Sequence, residues 1–340
     1  MHKRSIIKFI AILMCLFSLQ SKAQDAPLSK RPDVQAFIQM MVTKHHFDRA
    51  QLTSWLDKAK IQPSILSAIS KPAEKKLTWA LYEPIFLTPK RIDEGVSFWQ
   101  QNKAALAKAE KEYGVPAQII VAIIGVETFY GKHTGQHNVL DALVTLGFDY
   151  PPRAKFFLSE LEEFLLLAKE QHWDPTQIKG SYAGAMGKPQ FIASSYRRYA
   201  IDFHQRGQRD LINNVDDAIG SVANYFKLNG WKKGEPVAFS AKASGDKFKH
   251  LIAASNNPKP NASLQKLSEL GIKPVAKHGP KNAQQSFALI GLEGKQGPEY
   301  WLGANNFYVI TRYNRSSLYA MAVYQLSEKI KDGYQQPKNA

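Results

Sequence analysis

The sequence predicts an α+β protein that is predominantly helical and has a small β subdomain. Apolar residues recur at helical spacing along most of the chain, and short β-branched and aromatic runs follow towards its end. With 340 residues, 44% of them apolar, the chain is long enough to bury a large core. This composition argues against general disorder.

The first 23 residues have the pattern of a signal peptide. The start MHKRSIIK is basic, Phe9 to Leu19 is apolar, and Ser21-Lys22-Ala23 places small residues at a cleavage position. This apolar run is too short to span a bilayer, which takes roughly 20 residues. We therefore expect cleavage after about Ala23 and no transmembrane anchor in the mature chain, residues 24–340. Cys15 raises the alternative of lipid attachment, but Met14 precedes it where such sites need a small residue.

The charge balance indicates an anionic partner. The net charge of +16 at pH 7 becomes +12 once the basic residues of the signal peptide are removed. Nucleic acid is one polyanion, but no nucleic-acid-binding motif is present, whereas an exported protein meets the cell wall and its peptide carboxylates. A basic surface that only keeps the protein soluble is the simpler alternative. The mature chain has no cysteine, so disulfide and thiol chemistry are excluded.

Helices are predicted over most of the chain. Several stretches between Arg31 and Lys111 have helical apolar spacing. In Val115 to Glu127 apolar residues lie nearly all around the helix, so this helix should be buried, and Pro116 suits its first position. Further helices are predicted at Phe156 to Ala168, at Asp216 to Leu228 behind an aspartate cap, and from near Ser316 to Ile330.

The last third of the chain combines loops with short strands. Residues 241–284 are rich in Lys, Ser, Asn, Pro and Gly, which predicts a loop-rich inserted region with one short helix at Ser263 to Leu270. Ser286 to Leu292 and Phe307 to Tyr313 have patterns typical of strands. We therefore expect a small sheet near the end of the chain.

Glu127 is the candidate catalytic residue. It ends the apolar helix, where partial desolvation would raise its pKa towards the range of a proton donor at neutral pH. The alternative is that it only solvates the helix end. The stretch Gly180 to Phe191 is rich in glycine and would let a ligand approach the backbone, although a tight turn between helices has the same pattern. A metal site is not predicted, because His45-His46 lacks ligand spacing.

Several separate motifs occur in a fixed order. They are YEPIFLTP at 82–89, GVET at 125–128, DYP at 149–151 with Arg153, the stretch 180–191, SVANY at 221–225 and ITRYNR at 310–315. Between about Phe37 and Leu326 these motifs resemble the lytic murein transglycosylase B family, which is related in fold to goose-type lysozyme. The resemblance implies a lysozyme-like catalytic domain.

The resemblance also implies a reaction. Glu127 would protonate the glycosidic oxygen between N-acetylmuramic acid and N-acetylglucosamine in peptidoglycan. It would then take the proton of the same muramoyl sugar's C6 hydroxyl, which closes a 1,6-anhydro ring. No cofactor is implied. Glycan strands are the implied partner in a Gram-negative periplasm, and cell-wall synthesis or division proteins are further candidates.

The motifs carry over a set of substrate-binding residues: Tyr82, Arg153, Ser181, Gln190, Tyr313 and Asn314. In the family pattern the serine and asparagine would orient the acetamido group, the glutamine would contact the sugar, and the tyrosines would present rings or hydroxyls. The arginine would face a lactyl or peptide carboxylate. Packing or surface salt bridges are the alternative for each. Pro152 stands where members commonly carry another arginine, so one basic contact to the substrate is missing at that subsite.

Residues 202–213 look like a degenerate EF-hand loop. The expected residues are Asp202 at position one, Gly207 at position six and Asp210 at position nine, and the departures are His204, Arg206 and Asn213 at positions three, five and twelve. An arginine at a ligand position removes an oxygen donor and repels a cation. We therefore expect this loop to bind no calcium, or to bind it only weakly.

Two further functions stay open at this point. A catalytically silent wall-binding scaffold would keep the cleft, but the presence of Glu127 favours catalysis. A muramidase that hydrolyses the same bond would need a second carboxylate, for which Asp141 and Asp149 are the nearest candidates in sequence.

Overall fold

In the computed structural model, the described residues are 26–70, 77–275, 279–280 and 282–336. The predicted signal peptide, residues 1–23, and Cys15 lie outside them. The chain divides into two units at the junction of Ala59 and Lys60. Among the described helices, none is both long enough and apolar enough to cross a membrane.

The first unit is a pair of helices, α1 (Pro32–His45) and α2 (Arg49–Lys58). Helix α1 buries Val34, Phe37, Ile38 and Met41, which recur every three or four residues as the sequence predicts. Helix α2 begins behind Asp48, whose carboxylate accepts a hydrogen bond from the backbone N–H of Gln51.

Helices also dominate the second unit. They are α3 (Pro63–Ser70), α4 (Trp79–Phe86), α5 (Pro89–Gln101), α6 (Lys103–Tyr113), α7 (Ala117–Thr128), α8 (Val139–Asp149), α9 (Ala154–Glu170), α10 (Ala193–Tyr199), α11 (Val215–Leu228), α12 (Leu264–Glu269), α13 (Asn305–Tyr313) and α14 (Ser317–Gln335). The predicted helical character is confirmed.

Helix α7 lies at the centre of these helices and packs against α14, α5, α6 and α11. Nine of its 12 residues are buried, which confirms the prediction from its apolar composition. The sequence predicts Pro116 as the first residue of the helix. It is instead the N-cap residue, and the helix begins at Ala117. The helix ends because Phe129 and Tyr130 both adopt the left-handed backbone conformation, with φ of 50° and 61°.

A five-stranded antiparallel sheet forms the β subdomain. Its strands, in spatial order, are β4 (Ala262–Ser263), β6 (Ser286–Gly294), β7 (Gly297–Gly303), β3 (Ala238–Ala243) and β5 (Ile272–Pro274). One face covers a core that includes Phe248, Leu267, Phe287 and Leu302. A separate two-stranded pair, β1 (His137–Asn138) and β2 (Lys179–Gly180), lies within the helical part.

Three local predictions differ from the structure. Phe307 to Tyr313 is helix α13 and not a strand, because its buried residues follow helical spacing, and the partner of β6 is β7. Residues 241–284 are only partly loop, since β5 and α12 join the sheet and its core. The cap of α11 is Asn214, whose side-chain oxygen accepts from the N–H groups of Asp216 and Asp217.

Replacing Gly125 by alanine tests the packing of α7. An added Cβ would lie 2.7 Å from the ring of Tyr130, so overpacking should lower the free energy of unfolding by about 1–3 kcal/mol. In a Tyr130→Ala background the ring is gone, and the same substitution should become stabilising because alanine is the better helix former. Urea unfolding of the four proteins measures both effects. An equal cost in the two backgrounds would show that the ring is not the cause.

Candidate active site

Glu127 lies at the penultimate position of α7 and is half-buried. Its Oε1 accepts a hydrogen bond of 2.6 Å from the hydroxyl of Tyr319 on α14. Burial, and then the nearby Glu127 carboxylate, raise the pKa of Tyr319 well above its ordinary value. The tyrosine therefore stays protonated near neutral pH and acts as a fixed hydrogen-bond donor to the carboxylate.

Tyr313 extends this arrangement. Its ring is stacked with that of Tyr319, with centroids 6.4 Å apart and planes 11° apart, and its hydroxyl donates to the carbonyl of Pro189 at 2.5 Å. Burial and then the Glu127 carboxylate raise the pKa of Tyr313 as well. Tyr225 packs edge-on against Tyr313 at 4.9 Å. The carboxylate is thus bordered by protonated phenols on a rigid aromatic layer.

Thr128 connects the end of α7 to the glycine-rich loop. Its buried hydroxyl donates to the carbonyl of Lys188 at 2.8 Å and accepts from the N–H of Gly131 at 3.0 Å. The Lys188 ammonium in turn donates to the carbonyl of Ile212 at 2.7 Å. These bonds fix the position of the 180–191 loop relative to Glu127.

Within that loop, Ser181 and Gln190 hold the backbone in shape. The Ser181 hydroxyl oxygen accepts from the N–H groups of Ala183 and Ala185 at 3.3 and 3.0 Å. The Gln190 amide donates at 3.0 Å to the carbonyl of Gly187 and, also at 3.0 Å, to that of Thr134. Gln190 has a φ of 52°, an unusual conformation for a residue other than glycine. In the described part of the chain, these hydrogen bonds leave the Ser181 hydroxyl proton and the Gln190 side-chain carbonyl oxygen without a partner.

Arg153 and Asn314 line one groove of about 820 Å³. The exposed Arg153 guanidinium lies over the rings of Phe156 and Phe157, 4.4 and 4.9 Å from their centroids. Asn314 follows α13 directly and precedes Ser316, which caps α14. Since Tyr319 is in the first turn of α14, this short connection links the groove to Glu127.

Tyr82 is more deeply buried than its predicted role requires. It is 2% exposed, and its ring packs against Trp79 and Phe86 in α4. It is close enough to Tyr319 to affect that residue electrostatically. Its hydroxyl oxygen is buried as well, so Tyr82 lies behind the surface of the site.

Tyr319 is a site residue that the sequence did not predict. The residue is surrounded in sequence by Leu318, Ala320, Met321 and Ala322, and such a pattern predicts an ordinary core helix. Its hydroxyl, buried beside α7, gives it a role that no local pattern indicates.

Within the loop at 202–213, backbone N–H groups occupy one oxygen of Asp202 and one of Asp210. Asp202 Oδ2 accepts from the N–H of Gly207 at 2.6 Å, and Arg206 donates to the buried Asp217 at 3.2 Å, which places a positive charge at the loop. The other oxygen of Asp202 is buried without a hydrogen-bond partner, but calcium needs six to eight oxygen ligands. In the described part of the chain, no group of three or more His, Cys, Asp or Glu side chains could hold a metal ion.

Comparison with known proteins gives consistent matches. The family model described as Transglycosylase SLT domain matches residues 29–328. Membrane-bound lytic murein transglycosylase B of Escherichia coli is 44% identical over 311 residues, which are 89% of this chain and 83% of that protein. The soluble lytic transglycosylase SltB1 from Pseudomonas aeruginosa is 48% identical, with a TM-score of 0.84 over 90% of this chain and 100% of its own.

A second similar structure contains a ligand. SltB3 from Pseudomonas aeruginosa, solved in complex with NAG-anhNAM-pentapeptide, is 28% identical, with a TM-score of 0.76 over 90% of this chain and 81% of its own. The resemblance inferred from the motifs and the predicted lysozyme-like fold are confirmed by these matches.

Calcium addition tests the 202–213 loop. The midpoint of thermal unfolding should agree within about 1 °C between excess EGTA and 1 mM calcium, because a ligand stabilises a protein only when its concentration is comparable to or above its Kd. A rise of several degrees with calcium, which EGTA reverses, would show that the loop binds the ion despite Arg206.

Proposed function

Because the chain belongs to the transglycosylase SLT-domain family and is a lytic transglycosylase that acts on peptidoglycan, we propose that Glu127 performs both proton transfers of its reaction. The hydrogen bond from Tyr319 to Glu127 is the observation that supports this assignment most directly, because it gives one half-buried carboxylate a fixed hydrogen-bond donor. The chemistry uses protein side chains and the substrate's own groups, without a cofactor.

In the first step Glu127 is protonated. It gives its proton to the oxygen that joins C1 of N-acetylmuramic acid to N-acetylglucosamine, and the C1–oxygen bond breaks with its electron pair on the departing sugar. The acetamido oxygen of the muramoyl sugar stabilises the positive charge that develops at C1. The Tyr319 hydroxyl stabilises the carboxylate that Glu127 becomes.

In the second step Glu127 acts as the base. It takes the proton of the C6 hydroxyl of the same muramoyl sugar, and the freed oxygen forms a bond to C1. The product carries a 1,6-anhydro ring, and Glu127 is protonated again. No water is consumed, so the masses of the two products sum to the mass of the substrate.

One carboxylate suffices in this scheme, and Asp141 does not offer a second one. Its two oxygens accept from the N–H of Lys60 at 3.0 Å and from the amide of Gln62 at 3.2 Å, which ties the start of α8 to the chain before α3. This engagement argues against Asp141 as the second carboxylate that a hydrolytic reaction would use to activate water.

The remaining site residues are proposed to bind the glycan. Ser181 and Asn314 orient the acetamido group, and Gln190 contacts the sugar through its carbonyl. Tyr313 borders the carboxylate, and Tyr82 lies near Tyr319. Arg153 faces a lactyl or peptide carboxylate from the groove that it shares with Asn314.

The location proposed is the periplasm. Residues 1–23 have the pattern of a signal peptide, and peptidoglycan is found outside the cytoplasmic membrane. The E. coli relative is described as membrane-bound. Comparing the mass of the N-terminal peptide of the purified native protein with that of residues 24 onward would test cleavage after Ala23.

Glu127→Gln should abolish cleavage of purified peptidoglycan. The amide can neither donate the first proton nor accept the second, so we expect a loss of at least about 10³-fold in kcat. Mass spectrometry of the muropeptides measures both rate and product, and wild-type products should be 18 Da lighter than hydrolysed ones. Asp141→Asn is the matched control and should keep the anhydro products. Full activity of Glu127→Gln would exclude the proposed role.

Tyr319→Phe should lower kcat and leave the fold intact. A hydrogen bond to a charged group contributes about 1.5–3 kcal/mol, so a loss of roughly 10- to 100-fold is expected. Tyr324→Phe on the same helix is the control, because that hydroxyl donates to the carbonyl of Ala238 in the sheet. Initial rates and circular dichroism of both variants separate catalysis from folding. Equal rates for the two variants would remove Tyr319 from the mechanism.

A further inference from the structure

Three cationic side chains converge on one aromatic ring next to Glu127. Arg91, Lys132 and Lys90 have their charged groups 4.9, 5.6 and 5.8 Å from the centroid of the Phe129 ring. We call these four residues the Phe129 patch. Lys90 and Lys132 are exposed, whereas Arg91 and Phe129 are half-buried. The ring faces the cations favourably, but it does not neutralise them.

The patch has more positive charge than its neighbours balance. Lys132 forms an ion pair with Glu94. In the described part of the chain, neither Lys90 nor Arg91 forms an ion pair with a carboxylate. Arg91 donates from Nη1 to the carbonyl of Ile85 at 2.6 Å, while its Nε is buried without a hydrogen-bond partner. Like charges gathered around one ring repel one another, and a bound anion would relieve that repulsion.

The position of the patch relates it to the reaction. Phe129 follows Glu127 by two residues, so their Cα atoms lie at most about 7 Å apart. The loop that begins at Phe129 carries Lys132 and continues to Thr134, whose carbonyl accepts the amide of Gln190. A glycan with a muramoyl sugar at Glu127 would therefore bring the substituents of its neighbouring sugars close to the patch.

We propose that the Phe129 patch binds a carboxylate of a peptide stem on the glycan strand, a proposal that rests on the proposed function. The sugars of the strand are neutral at their ring hydroxyls and acetamido groups, and the stems carry its free carboxylates. Lys90, Lys132 and the Arg91 guanidinium supply donors for one such group. The patch thus makes the enzyme favour strands that carry stems over strands that have lost them.

An anionic membrane is the other partner for a basic patch. Recognition of anionic lipids from sequence typically involves clusters of four to eight Lys or Arg residues. The Phe129 patch has three cations, and Glu94 partly neutralises one of them. Its charge fits a single carboxylate better than a lipid surface.

The test compares two substrates. Purified glycan strands with their peptide stems, and the same strands after an amidase has removed the stems, are digested with the wild-type protein and with Lys90→Gln/Lys132→Gln. The amidase leaves a lactyl carboxylate on each muramoyl sugar, so the two substrates differ in whether a carboxylate is presented on a stem or on the sugar itself. The ratio measured is kcat/KM for stem-bearing strands divided by kcat/KM for stem-free strands. This ratio should fall by about threefold to tenfold in the variant, as expected for the loss of two exposed charge contacts. The ratio of the wild-type protein should itself decline as salt is raised.

Matched variants separate local from global charge effects. Lys103→Gln/Lys111→Gln removes the same charge from exposed positions of α6 and should leave the ratio unchanged. Glu94→Gln frees Lys132 from its ion pair and should raise the ratio. In a Glu127→Gln background, retention of stem-bearing strands on a column should show the same order among the variants without any turnover.

The outcomes are distinguishable. A ratio that is the same in wild type and patch variant, with both substrates cleaved, overturns the patch assignment and leaves the proposed function standing. Cleavage of neither substrate by the wild-type protein overturns the proposed function itself. Binding of phosphatidylglycerol vesicles that the patch variant loses, with no change in the ratio, would assign the patch to lipid instead.

Discussion

The hydrogen bond between Tyr319 and Glu127 is the contact on which the site depends. Helix α7 is apolar nearly all round and must be buried, so the side-chain carboxyl group of Glu127 at its end is also brought close to the core. A carboxylate in such a place needs a donor, and α14 supplies one from a tyrosine that burial keeps protonated. The packing of α14 on α7 therefore also determines the electrostatics of the site.

The other elements hold that pair in position. The left-handed residues after Thr128 end α7 directly behind Glu127, and Thr128 ties the helix end to the glycine-rich loop. Tyr313 joins the same loop to α14 through its hydroxyl and its stacked ring. Chain segments far apart in sequence thus meet through buried hydroxyl groups, each with a defined partner. Preorganisation of this kind is what a site needs to stabilise charge as it develops.

Local patterns predicted the parts of this structure that depend on local chemistry. The course of α7, the start of α14 near Ser316 and the position of Glu127 at the end of α7 could be inferred from apolar spacing. Phe307 to Tyr313 could not, because β-branched and aromatic residues also line the buried face of a helix. Tyr319 and the Phe129 patch were missed for a different reason. Tyr319 gains its role from Glu127 on α7, and the patch forms because Lys90 and Arg91 of α5 reach a ring that lies far along the chain, so no motif encodes either proximity.

Digestion in water enriched in oxygen-18 tests the central claim most directly. If Glu127 takes the proton of the C6 hydroxyl, the C6 oxygen of the same sugar forms the new bond to C1. Muropeptides formed by the wild-type protein should then carry no oxygen-18. One oxygen-18 atom at each new muramic end would mean that water attacks C1, and a single carboxylate with a tyrosine donor would not explain the reaction.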